Sequence, residues 1–438
     1  MASLRNIIVR LKTHDGFRRY LCNTSWIFGE YLLRIIAGLL VGIYVARYLG
    51  PEQFGILSYA LAFVALFTTI AKLGLDSIVV RELVNHPDKR DLFLGTAFWL
   101  KSFGALLSFI LLGIAVLFTS NKETTNLYIF LIAIGLIFQA FDVIEIYFQS
   151  TVNSKPVSIS KLLQLLLSSF FKLYLISIHA ELFWFVLASL IDQILLAIFL
   201  AHSYWRQKFG DFYGYFNIAI AKSMLMNSWP LILSSIAVTI YIRIDQIMIK
   251  EMLGDREVGL YSASARLSEA WYFVSLIITT SLFPAIVNAK KISRALYQTR
   301  LQRLYTLMVW LAICVALPVT FLGNWIMTLM YGAPYQESGV ILSIQIWTGV
   351  FVALGVASER WMIAENLVGI SFLRTIIGGV ANIGLNLYLI PKHGIIGAAI
   401  ATLLVQIFTT YLFDLFSMKT REAFLLKSKS LILYKGFA

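Results

Sequence analysis

Charge is what this 438-residue chain has least of: 13% of its residues are Asp, Glu, Lys or Arg, against 59% that are hydrophobic. A mean hydropathy of +0.80 excludes disorder and exceeds what a water-soluble core requires. Cysteine is nearly absent, and the two present, Cys22 before the first apolar block and Cys314 inside a later one, support no disulfide framework. The five histidines, His14, His86, His179, His202 and His393, are scattered without metal-ligand spacing, so no metal and no cofactor is expected. There is no G-x4-G-K-[ST] phosphate loop, which argues against intrinsic ATP hydrolysis. No polar segment is long enough to build a catalytic domain outside the apolar blocks, so an enzyme is not expected. Residue-by-residue alternation of polar and apolar positions is missing too, which argues against a β-barrel.

What remains is a series of long apolar blocks separated by short polar gaps. Each matches the roughly 20 helical residues that cross a hydrocarbon layer of ~30 Å. About twelve spans are expected, at 23–46, 54–75, 93–118, 127–149, 158–178, 182–201, 229–249, 260–285, 304–326, 340–363, 370–390 and 395–416. Trp184, Trp205, Trp229, Trp325, Tyr331 and Tyr335 fall near span ends, where interfacial aromatics belong. The fold class is therefore an all-α membrane protein.

The basic start, with Arg5, Arg10, Lys12, Arg18 and Arg19, precedes an apolar stretch with no small-residue cleavage pattern and reads as an uncleaved anchor. Ile7, Ile8, Val9 and Leu11 between those charges fit the headgroup plane. A net charge of +13 suggests nucleic acid only until its placement is examined, because the basic residues sit at block ends. About 22 of them fall on the side holding both termini and about five (Arg47, Lys122, Lys250, Arg256, Lys392) on the other, which is the positive-inside pattern. Both termini are expected in the cytoplasm, and no nucleic-acid partner is.

Leu49, Gly50, Gly55 and Ser58 recur at one fixed offset as Leu253, Gly254, Gly259 and Ser262. Each copy of L-G-x4-G-x2-S links the first and second spans of a half, so the chain reads as a duplication. Halves with an even number of spans insert the same way up, as parallel repeats about an axis along the membrane normal. The expected organisation is a cytoplasmic basic segment at 1–22, a six-helix bundle at 23–202, a cytoplasmic linker at 203–228, a second six-helix bundle at 229–416 and a basic cytoplasmic tail at 417–438. A substrate path is expected between these two pseudo-symmetric bundles.

Several motifs carry a family resemblance: R-Y-L-G-P-E-Q-F-G at 47–55, K-L-G-L-D at 72–76, V-V-R-E-L at 79–83, R-I-D-Q-I-M-I at 243–249, V-G-L-Y-S-A-S-A-R-L at 258–267 and P-K-H-G-I-I-G-A-A-I-A-T at 391–402. Together they resemble the polysaccharide repeat-unit, or O-antigen, flippases of the multidrug, oligosaccharidyl-lipid and polysaccharide exporter superfamily, which includes the multidrug and toxin extruders. The resemblance implies twelve spans in two bundles around a central cavity. It implies a substrate made of an oligosaccharide on polyprenyl diphosphate, moved from the cytoplasmic to the outer leaflet of a bacterial inner membrane. The lipid II flippases are similar too, but typically carry two further C-terminal spans that this sequence lacks, which lowers a peptidoglycan role. Other polysaccharide-assembly membrane proteins and membrane lipid are candidate partners.

Charges inside the spans are the functional signal, because each costs roughly 2.5–3.5 kcal/mol at mid-bilayer and must face a bundle interior or a wet cavity. Glu30 and Arg34 share a helix face at i,i+4, which reads either as a self-neutralised pair or as a lumen cation for phosphate. Lys72 and Asp76 repeat that spacing at a span end, where snorkelling explains them. Arg243 and Asp245 point to different faces and need partners from elsewhere, by salt bridging between the bundles or by contact with substrate. Arg266 and Glu269 can pair at i,i+3, whereas Arg374 has no acid at helical spacing and is the strongest candidate for an anionic guest. Arg34, Arg243, Arg266 and Arg374 are thus the candidate cavity cations. Asp142 and Glu145 carry like charge on one face and resist ionising together. With Asp192 they are candidates for coupling to a proton or sodium gradient, or else acids in water near a helix end. Glu30, Asp245 and Glu269 complete the coupling or structural acids.

The mechanism expected is alternating access, the halves rocking about a cationic cavity. The alternative is a cation-coupled exporter of drugs or small metabolites, whose lumen should be dominated by acids. A membrane-embedded enzyme acting on the same lipid-linked sugar is a further rival, distinguished by altering the sugar covalently.

Overall fold

The computed structural model describes residues 15–207 and 209–432. Most of the expected basic segment 1–22, with Arg5, Arg10 and Lys12, lies outside the described residues, as do Lys208 and Lys435.

Fourteen α-helices follow in order: α1 (Asp15–Lys72), α2 (Asp76–Asn85), α3 (Arg90–Val116), α4 (Glu123–Phe138), α5 (Asp142–Ser150), α6 (Lys155–Ser177), α7 (Leu182–Trp205), α8 (Ile218–Leu253), α9 (Asp255–Glu269), α10 (Tyr272–Ile292), α11 (Arg294–Tyr331), α12 (Ser338–Ala364), α13 (Val368–Thr410) and α14 (Arg421–Leu431). No strand occurs among the described residues. In hydrocarbon every backbone amide must be satisfied within its own segment, so apolar blocks of this length form helices. Among the described residues, ten stretches of helix are long and apolar enough to cross a membrane, so this is a multi-pass membrane protein. Large side chains left on the outside agree: Phe103, Phe170, Phe321 and Val380 are all more than 60% exposed, as apolar residues facing lipid would be.

Two of the ten stretches are broken at a glycine. The 58-residue α1 is far longer than a ~30 Å hydrocarbon layer needs at ~1.5 Å per residue, and its backbone leaves helical geometry at Gly50 (φ 70°, ψ 172°). Pro51 follows, at the one helical position where a missing N–H is no loss. Likewise α13 is interrupted at Gly394 (φ 59°, ψ −144°). Those two breaks separate the expected spans 23–46 from 54–75 and 370–390 from 395–416. Other expected spans run differently. The 127–149 block is split by a 3₁₀ turn at Gln139–Phe141, the 260–285 block breaks between α9 and α10, and residues 218–228, read as linker, are the first turns of α8.

By compactness the chain forms two units: residues up to Val45 with Phe63–Ile236, and Ala46–Ala62 with Ala237–Ala438. The first has its core around Leu75, Val79, Leu94, Phe148, Leu200 and Tyr204. The core of the second gathers Leu304, Tyr305, Met308, Leu354, Trp361 and Met362.

Inside the second unit the duplicated motif explains itself. Gly254, like Gly50, has positive φ (114°), so both copies place a glycine where an L side chain would be strained. Five residues further on, Gly55 and Gly259 face each other. A Cβ on Gly55 would lie 1.8 Å from the Asp255 carbonyl oxygen, and one on Gly259 1.8 Å from that of Pro51. The two repeat-related helices therefore cross with their backbones in contact, an approach only small residues permit. Ser58 and Ser262 complete the equivalence: both are buried, and neither Oγ has a hydrogen-bond partner among the described residues.

Candidate functional site

Most charged side chains of the first unit find an opposite charge close by. Arg34 Nη2 lies 2.5 Å from Glu30 Oε1 on α1. Lys72 lies 3.5 Å from Asp142, Lys101 2.6 Å from Asp76, Lys172 2.6 Å from Asp192, and Lys161 pairs with Glu145. Lys72 and Asp76, although spaced i,i+4, do not pair with each other among the described residues. Leu73 and Gly74 have positive φ, so the helix stops between the two residues and each turns to another helix. The like charges of Asp142 and Glu145 are relieved in the same way, since each acid has its own lysine. Lys101, Lys161 and Lys172 were legible inside the expected spans at 93–118 and 158–178, one or two blocks from the acids they neutralise, but helical spacing along one segment could not pair them.

The second unit holds a chamber of about 640 Å³ between α8, α9, α12 and α13. Two of the expected cations, Arg243 from α8 and Arg374 from α13, line it, together with Asp245, Glu269 and Glu359. Arg374 is only 8% exposed, its Nη1 is buried without a hydrogen-bond partner, and no acid lies within 4 Å among the described residues. Arg243 and Glu269 also lack an ion pair among the described residues, although Arg243 and Arg266 are both within electrostatic reach of Glu269. A buried guanidinium that keeps its charge without a partner is costly, by several kcal/mol in round figures, unless something supplies the anion.

Asp245 is the chamber's opposite case. At 4% exposure its carboxylate accepts hydrogen bonds from Tyr261 Oη (2.7 Å), Thr402 Oγ1 (2.6 Å) and Asn386 Nδ2 (2.6 Å). Asn386 also donates to Asn382 Oδ1 at 3.0 Å, while Asn386 Oδ1 has no partner among the described residues. Three neutral donors from α9 and α13 thus hold a carboxylate of α8 that has no ion pair among the described residues, an arrangement that satisfies its lone pairs without neutralising it. R-I-D at 243–245 was the visible signal, and N-x3-N at 382–386 completes it on one face of α13.

Two expected cavity cations lie elsewhere. Arg266 forms no ion pair with Glu269; its guanidinium sits over the Phe54 ring, 4.7 Å from the centroid, a cation–π contact within the second unit. It does not line the chamber, and Arg34 does not either. Of the six expected acids, Asp245 and Glu269 face the chamber, whereas Glu30, Asp142, Glu145 and Asp192 are matched with basic residues of the first unit. Glu359, which the sequence reading missed, was marked by S-E-R at 358–360 inside an apolar block. Polar liners such as Tyr241, Gln345 and Gln406 gave no signal, because single uncharged polar residues in membrane helices are common.

Solved transporters share this architecture. Lipid II flippase MurJ, in an inward closed conformation, superposes with a TM-score of 0.72 over 94% of this chain and 91% of its own, at 19% identity. An inward-facing multidrug resistance MATE family transporter gives 0.67 over 90% and 96%, at 15% identity. The chain therefore has their fold. By sequence it is 21% identical to the capsular polysaccharide biosynthesis protein CapF of Staphylococcus aureus over 88% of this chain and 96% of that protein. It is 23% identical to a Shigella flexneri protein named for O-antigen transport, over 86% and 93%. The model of the family described as polysaccharide biosynthesis protein matches residues 20–290, well over half the chain, and the protein belongs to that family.

Proposed function

We propose that this protein flips a polyprenyl-diphosphate-linked oligosaccharide repeat unit from the cytoplasmic to the outer leaflet of a bacterial inner membrane, for surface polysaccharide synthesis. The observation that carries the reading is Arg374, a buried guanidinium with no acid within 4 Å among the described residues, standing with Arg243 in a chamber large enough for a diphosphate headgroup. A guanidinium presents a planar fork of donors that matches two phosphate oxygens. The names of the sequence relatives, capsular polysaccharide biosynthesis and O-antigen transport, support the same class of cargo. The protein acts as a transporter and not as a catalyst: the sugar changes side and keeps its covalent structure. The duplicated motif supports two six-span halves, at 23–202 and 229–416, working by alternating access, with basic segments, linker and both termini in the cytoplasm.

Asp245 is the acid we assign to ion coupling. Two of its partners are hydroxyls, which can ligate sodium or accommodate a protonated carboxyl, and the third is an amide whose oxygen can do the same, whereas Asp142, Glu145 and Asp192 have lysines against them. A proton or sodium ion arriving there changes the charge of the chamber that holds Arg374.

A second reading has its own support: Asp245, Glu269 and Glu359 together outnumber the two arginines of the chamber, as a cation-selective exporter would require. Complementation decides between them. In a flippase-deficient strain, the native protein should restore surface polysaccharide, and Arg374→Ala should abolish the rescue at unchanged protein level. Normal surface polysaccharide in that variant, or drug sensitivity as the only phenotype of cells lacking the protein, would overturn the flippase reading.

A further inference from the structure

The helix α14 follows the last membrane stretch and carries Lys427, whose side chain is wholly buried. Its ammonium donates to Asp414 Oδ2 (2.6 Å), to the Thr410 carbonyl oxygen (2.6 Å) and to Ser358 Oγ (2.9 Å), so all its donors are used. Asp414 lies in the turn after α13, and the other two acceptors belong to helices that build the chamber. Thr410 ends α13 and lines the chamber itself; Ser358 sits on α12 between two liners, Gly355 and Glu359. One ammonium thus ties the ends of α12 and α13 together at one edge of the anion chamber.

The rest of α14 is fastened as if to deliver that side chain. Glu422, on its first turn, accepts from Arg294 Nη2 and Gln298 Nε2 of α11, each at 2.7 Å. Tyr411 Oη and Ser428 Oγ are 2.9 Å apart, and Thr420 Oγ1 donates to the Asp414 carbonyl oxygen at 2.9 Å. An anchor made only for stability would be served as well by leucine against leucine, since a buried ion pair replaced by apolar residues of similar volume often leaves a protein as stable or more so. A hydrogen-bonded ammonium does something apolar contact cannot: it fixes the distance and direction between two helix ends.

We propose that Lys427 is a positioning residue for the anion site, holding α12 and α13 at the spacing that sets Arg374 against the bound diphosphate. The inference rests on the flippase reading for the identity of the anion and deepens it by adding α14 to the site. The clamp is also titratable. Burial first, and the positive charge of Arg374 with it, lower the ammonium to about 8, against the opposing pull of Asp414. The groups facing it are Asp414 from the turn after α13, the Tyr305 ring of α11 at 5.8 Å, and Arg374. Above that pH the ammonium loses its charge, the pair with Asp414 dissolves, and the two helix ends are held less tightly.

Farnesyl diphosphate binding to the purified full-length protein in detergent, measured at pH 7 and pH 9, tests this. Lys427→Arg stays charged at both values, so it reports the titration of the probe itself. The native protein should weaken between pH 7 and 9 by about tenfold relative to Lys427→Arg, as expected for a charged hydrogen-bonding group lost from a positioned site. Lys427→Met combined with Asp414→Leu removes both buried charges together and frees only the neutral Thr410 carbonyl and Ser358 hydroxyl, so it should fold with a thermal stability near the native one yet bind about tenfold more weakly, independently of pH. Native affinity in that double variant, or parallel pH profiles for native protein and Lys427→Arg, would overturn the role of Lys427 while leaving the anion site standing. If the native protein bound farnesyl diphosphate no better than farnesol at pH 7, the anion site itself would fail, and this role with it.

Discussion

The two units of the chain handle charge in opposite ways. In the first, five acids reach five basic partners, from Glu30–Arg34 to Lys172–Asp192. Among the described residues, the second leaves Arg243, Arg374 and Glu269 without an ion pair around one chamber and binds Asp245 through neutral donors. Both units contain charges that a hydrocarbon layer penalises, so the presence of charge does not mark a site. What marks it is incomplete neutralisation: a buried pair can be structural, whereas a buried guanidinium left open is tolerated only where a ligand or water enters.

That contrast can be broken by removing one charge from each unit. Arg374→Gln should lower affinity for a prenyl diphosphate by about a hundredfold, the loss of a charged hydrogen bond of roughly 1.5–3 kcal/mol, as titration of purified protein would show. An affinity within threefold of native would place the anion elsewhere. Next in size is the helix crossing that frames the second unit. Gly259→Leu has no space beside the Pro51 carbonyl and should destabilise by about 3 kcal/mol, seen as a lower melting temperature in detergent. A native melting temperature would mean that the helices do not cross at the glycines.

Asp245→Asn sharpens the comparison within the chamber. It keeps the size of the side chain and removes its charge, so transport should lose its dependence on an imposed proton or sodium gradient while binding of the diphosphate changes by less than about threefold, a shift below 1 kcal/mol. Unaltered gradient dependence would remove Asp245 from the coupling step. The smallest effect is expected in the first unit. Lys172→Met with Asp192→Leu replaces a paired charge by apolar groups and should change stability by less than about 1 kcal/mol and leave transport intact. Loss of transport in that variant would mean that pairing does not separate structural from functional charge.

Much of the architecture was legible in the sequence because a membrane reads simply: apolar blocks of fixed length become helices, and the L-G-x4-G-x2-S repeat marked two glycines that the structure brings into contact. The breaks at Gln139–Phe141 and between α9 and α10 left no such mark, since a helix interrupted within hydrocarbon keeps the same composition. Half of the expected site cations, Arg243 and Arg374, face the chamber. Arg374 stood out for a physical reason, having no acid at helical spacing. Arg266 misled because spacing along one helix offered Glu269, while the tertiary fold offered the face of Phe54 instead. Lys427 was invisible as a site residue: it lies in a polar, basic tail, and only packing against α12 and the end of α13 reveals that its ammonium is buried.

The central claim is that the open guanidinium of Arg374 receives the diphosphate of a lipid-linked sugar. It is tested most directly in proteoliposomes, by following the appearance of a polyprenyl-diphosphate oligosaccharide on the opposite leaflet with a sugar-binding lectin. The native protein should move the lipid, Arg374→Gln should not, and Lys172→Met with Asp192→Leu should match the native rate. Equal translocation by Arg374→Gln and the native protein would contradict the account.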